Sequence, residues 1–181
     1  MTTFNPYPDP LTGAELQTLR EACGLSRDDL GALAGVAARS VKHWEHGRSG
    51  VPADVADIVR RLDELIDFQI DQARNRHITG PNEFTLIRYR DEDALAHYRP
   101  DLAGQPLGVH GAIVQRVAMN LRREGMTARV VWMVPDEYEA WRLRISCTLP
   151  DDDAQRAIWA AQQIQHQARA HRADQPPSPA A

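Results

Sequence analysis

Two glycines, Gly35 and Gly47, punctuate one short stretch of this chain so closely that few folds can hold it. From Leu25 to Pro52 the sequence reads LSRDDLGALAGVAARSVKHWEHGRSGVP. Ser26 followed by Asp29 is a helix-capping pair. It predicts a short helix with Leu30, Leu33 and Ala34 inward, ended by Gly35. A second short helix is expected over Ala37 to His46, with Val41 and Trp44 inward and Gly47 as a left-handed stop. Ahead of both, Thr12 and Glu15 form another capping pair after Leu11. Leu16, Leu19 and Cys23 then recur at helical spacing to about Gly24. Leu30, Leu33, Val41 and Trp44 can bury against this first helix. Pro52 and Asp54 open a fourth, in which Val55, Ile58, Val59, Leu62, Leu65, Ile66 and Ile70 keep a three-four rhythm to about Arg74. At 1.5 Å per residue it spans ~30 Å, longer than a lone four-helix module needs.

This packing leaves Ala38, Arg39, Lys42 and His43 on the outer face of the third helix. A helix fits the major groove of DNA, where outward residues near its N-terminus reach base edges. Between Ala37 and Ser49 the basic side chains are Arg39, Lys42 and Arg48, with His43 and His46 beside them, and Glu45 is the only acid. The whole chain carries a formal charge of -4 over 181 residues, which argues against a general nucleic-acid coat. A sequence reader needs only one positive face. Arg39 has the geometry for a bidentate contact to guanine, Lys42 for a base or a phosphate, and His43 for a base acceptor. Arg48, Ser49 and the amides after Gly47 are placed for phosphate, as is Arg27 at the start of the second helix. Trp44 reads as core, and Glu45 as fixing local geometry rather than touching DNA.

These residues resemble the Xre/Cro-type helix-turn-helix family, through Leu30, Ala34, Gly35, Val36, Val41, Trp44, Glu45, Gly47 and Arg48 over about residues 11 to 64. The resemblance implies that Ala38, Arg39, Lys42 and His43 face bases. Ala38 stands where a polar reader is usual and offers an apolar contact, for instance to a thymine methyl. Ala37 stands where a hydroxyl cap is common. The run Ala38-Arg39-Ser40, Trp44-Glu45, Gly47-Arg48-Ser49 and Val51-Pro52, with a strand-helix unit around Tyr89 to Tyr98, is also similar to the YdiL-like group. That group includes anti-CRISPR-associated repressors. The resemblance implies a homodimeric repressor binding an inverted-repeat operator in double-stranded DNA, for instance in its own promoter. The DNA-binding set on this reading is Arg27, Ala38, Arg39, Ser40, Lys42, His43, His46, Arg48 and Ser49.

The expected fold is mainly α: a four- or five-helix helix-turn-helix domain, then a small α+β domain with a short two-stranded sheet. Residues 1–10 are an irregular lead-in, 11–75 the DNA-binding domain, 84–172 a dimerisation domain with a helical extension, and 173–181 a disordered tail. Gly80-Pro81 marks the break between the halves. Phe84 to Tyr89 and Arg129 to Val134 read as strands. Asp91 to His97, Leu107 to Arg123, Pro135 to Ile145 and Asp151 to His171 read as helices, the last two anchored by Trp141 and Trp159. On the fourth helix Ile58, Leu62, Leu65 and Ile70 suit either a dimer seam or packing on the second half.

Other chemistries have little support. His43 and His46 lack further ligands for a metal. The acidic runs Asp91-Glu92-Asp93 and Asp151-Asp152-Asp153 read as helix caps. No nucleophilic triad or phosphate loop appears, so no catalytic residue, metal or cofactor is expected and the chain is read as a non-enzyme. Cys23 and Cys147 stand far apart, which suits a reducing cytoplasm. No apolar run approaches the ~20 residues of a membrane span. Two other readings stay open. One is an antitoxin-like protein whose second half binds a partner protein while the helix-turn-helix autoregulates the operon. The other is a reader fused to a ligand-sensing or enzymatic half, which a pocket with converging polar groups would favour.

Overall fold

A computed structural model describes residues 7–76, 83–145 and 150–173. The helices are α1 (Gly13–Ala22), α2 (Arg27–Ala34), α3 (Ala38–Glu45), α4 (Ala53–Arg76), α5 (Glu92–Tyr98), α6 (Leu107–Arg123), α7 (Pro135–Ile145) and α8 (Asp153–Ala173). A 3-10 turn spans Pro100–Leu102, and the strands are β1 (Glu83–Arg88) and β2 (Thr127–Trp132). The mainly helical fold with a short sheet in its second half is the class expected. Gly80-Pro81, Cys147 and the tail beyond Ala173 lie outside the described residues.

Local chemistry sets the first four helices. Thr12 and Ser26 each accept a hydrogen bond from the amide three residues on, and Glu15 and Asp29 in turn accept one from the cap amide. Gly35 closes α2 at a φ of 67°, a left-handed conformation that a side chain would strain. Leu16, Cys23, Leu30, Val41, Val55 and Val59 fill the core between them. One expectation fails here: Leu33 is exposed, not inward. The buried side of α2 is centred on Leu30 and Gly31, because Gly31 packs against the Val36 carbonyl. At about 100° per residue, Leu33 is carried round to solvent.

The sheet pairs β1 with β2 in parallel, from Glu83 opposite Thr127 to Arg88 opposite Trp132. Parallel neighbours need a crossover, and α5, the 3-10 turn and α6 supply it. Ile113, Val114, Val117 and Leu121 are buried along α6, which packs on both strands. Asp91 caps α5 through the Ala94 amide, and Asp152 accepts from the Gln155 amide at the start of α8. Trp141 and Trp159 are both buried, as expected of anchors. Tyr138 stands edge-on to Trp159 at 5.7 Å and to Tyr98 at 5.8 Å, which ties α7 and α8 to α5.

The two halves meet along α4. Leu62, Ile66 and Ile70 are buried, and Ile58 and Leu65 pack against the same continuous core. Of the two uses open for this stripe, packing within the chain is the one realised. Arg116 on α6 donates to Asp63 and Asp67 on α4 and to the carbonyl of Ala22. Gly24 and Gly108 touch backbone to backbone; a methyl on Gly108 would fall on the Gly24 carbonyl.

Candidate nucleic-acid interface

The third helix is placed by one buried carboxylate. The Glu45 side chain is 0% exposed. Its Oε1 accepts from Arg20 Nε at 2.6 Å, and its Oε2 accepts from Arg27 Nε at 2.6 Å. Arg20 is buried too, and its Nη1 donates to the Leu25 carbonyl at 2.6 Å. One carboxylate thus joins α1, α2 and α3. A buried charge is tolerated only when paired and hydrogen-bonded, and this arrangement meets both conditions. The geometric role expected of Glu45 is the one it has. Arg20 is not among the residues expected at the site. It lies four residues after Leu16, on the inward face of α1, and an arginine there is the available sign of a buried acid elsewhere.

Burying Glu45 changes the character of the helix surface. It is the only acid between Ala37 and Ser49, so the outward face of that segment carries no carboxylate. Arg39, Lys42, His43, His46, Arg48 and Ser49 are exposed, and Ala38 and Ser40 in the first turn of the helix are half-buried. Trp44 is also half-buried, its ring packed against the core. Ala37 makes no side-chain cap, as its lack of a hydroxyl implied. The chain then turns back after α3, where the Gly47 amide reaches the Trp44 carbonyl at 2.9 Å and the Arg48 amide reaches that of His43 at 3.0 Å.

Arg27 stands apart from the other expected contacts. Its side chain is 37% exposed, and its Nε is committed to Glu45. It lines a shallow notch with Arg20, Ala38, Arg39 and Lys42, flanked by Glu21 and Asp28. Eight of the nine expected residues therefore lie on or just after α3, and the ninth is held against it through Glu45. Among the described residues no cluster of three metal-ligating side chains occurs, and no helix is long and apolar enough to cross a membrane.

Residues 12–75 match the family model described as a helix-turn-helix domain. This covers α1 to α3 and nearly all of α4. No curated protein matches the chain.

Proposed function

We propose that the protein is a sequence-specific DNA-binding transcriptional regulator, a homodimeric repressor of its own promoter that reads an inverted repeat through α3. The observation that carries this reading is the exposed basic face of α3, cleared of negative charge by the burial of Glu45. The helix-turn-helix match over residues 12–75 supports it. Arg39 makes the bidentate guanine contact, and Lys42 and His43 reach neighbouring bases or phosphate. Ala38 meets a thymine methyl, and Ser40 and His46 flank the base contacts. Arg48 and Ser49 hold phosphate, joined by the guanidinium nitrogens of Arg27 that Glu45 does not occupy. Two copies are required because an inverted repeat presents two half-sites about one helical turn apart.

Fluorescence anisotropy tests this with the duplex upstream of the gene against a scrambled duplex over a salt series. Preferential binding with a steep salt dependence, at two chains per duplex, is the expected result. Equal weak binding to both duplexes would overturn it.

A further inference from the structure

A cavity of about 90 Å³ lies where α4, β1, α6 and α8 converge. Its polar lining is Gln69, Thr85, Arg99, His110, Asp153 and Arg156. Four of these, Gln69, Thr85, His110 and Arg156, are more than nine-tenths buried. Polar side chains at such depth are normally hydrogen-bonded, and His110 is the exception at this cavity. His110 is 3% exposed, and its Nδ1 is buried without a hydrogen-bond partner. Arg99 spends Nε and Nη2 on Asp101 and Gln69, and among the described residues its Nη1 takes no acceptor. Arg156 spends both terminal nitrogens on Asp151 and Asp153, and its Nε likewise takes none.

The amide and carboxylate acceptors on the lining are already engaged. Gln69 Oε1 is taken by Arg99, and Asp153 by Arg156. A cation would therefore find its ligands engaged, whereas an anion would find donors waiting. A cavity of this volume suits a small group rather than a nucleotide or a drug-sized ligand. We propose that this cavity is a binding site for one small oxyanion, a carboxylate or phosphate-type group, held by Arg99, Arg156 and the Nδ1–H tautomer of His110. Neutral imidazole suits such a site because it donates one hydrogen bond without adding a third cation. All three donors belong to the second half, and Gln69 on α4 steadies one of them by accepting from Arg99. Occupancy of the cavity does not depend on DNA.

The test uses the full chain without DNA, in Tris chloride at neutral pH. Sodium phosphate and sodium acetate are titrated separately against sodium chloride at equal ionic strength. Thermal unfolding and the His110 ring-nitrogen NMR signals are followed. The expected result is a saturable rise in Tm and a saturable shift at His110 with one or both probes; which probe acts names the class. The variant Ala157→Met fills the void from a neighbouring buried wall residue and leaves all three donors in place. It should weaken the response roughly tenfold or more, equivalent to about 1.4 kcal/mol. Absence of any effect beyond chloride, or an undiminished response in Ala157→Met, would overturn the proposal. The wild-type NMR titration decides alone should that variant fail to fold.

Discussion

Arg20 Nε and Glu45 Oε1 lie 2.6 Å apart inside the core, and that contact ties α3 to α1. The Arg27 contact on the other carboxylate oxygen completes the clamp. Glu45→Ala leaves Arg20 a buried charge with its main partner gone. It should cost about 3–5 kcal/mol of stability, the usual penalty for breaking a buried pair from one side. Urea denaturation of the variant beside wild type measures it. A loss below about 1 kcal/mol, the level of a surface pair, would show that the clamp is not structural.

Arg39→Ala should behave in the opposite way. The side chain is exposed, so Tm should stay within error of wild type. Discrimination between the upstream and scrambled duplexes should fall by about 1–3 kcal/mol. Lys42→Ala, if Lys42 rests on phosphate, should lower affinity for both duplexes alike and reduce the slope of log K against log salt by about 1. Anisotropy over the same salt series separates the two.

Gly108→Ala drives a methyl group into the Gly24 carbonyl, and neither backbone can yield cheaply. The expected cost is about 1–3 kcal/mol, as for other overpacked sites. Arg116→Ala removes the contacts to Asp63, Asp67 and Ala22 without any clash. It should cost less than Gly108→Ala in the same thermal melts.

Burial, with Arg99 and Arg88 nearby, pushes His110 down from 6.5 to about 3. Folding therefore favours the neutral ring. As pH falls below about 6.5 the unfolded chain takes up a proton that the folded one refuses. Stability from this group is whole above that pH and is lost progressively toward pH 3, at up to about 1.4 kcal/mol per pH unit. His110→Phe should flatten the pH dependence of denaturation between about pH 4.5 and 6 by about that slope. Piperazine chloride is the right buffer, since it brings no oxyanion to the cavity. Equal slopes in the two proteins would show that His110 is not held neutral.

How much of the fold and the interface is legible in the sequence depends on how local each cause is. Capping pairs act over three residues, so Thr12–Glu15 and Ser26–Asp29 are readable directly and fix two helix starts. The exposed basic face follows from the periodicity of α3. Leu33 departs from its expected place because the orientation of α2 is set by Gly31 against the Val36 carbonyl, a contact that a count of apolar residues does not register. Glu45 is recognisable as structural, but its partners lie 25 and 18 residues away. The position of Arg20 on the α1 face hints at one of them; nothing hints at Arg27. The cavity is least legible, since its polar lining comes from well-separated stretches of chain.

The burial of Leu62, Ile66 and Ile70 under the second half gives α4 two owners. Residues 12–75 are a unit of inheritance, recognisable by pattern, but they are not a unit of folding free energy. Cut after residue 75, the fragment would turn an apolar stripe of its longest helix to water and take Arg116 away from Asp63 and Asp67. Evolution can exchange residues 12–75 as a cassette only if each replacement brings an α4 whose far end fits the same socket.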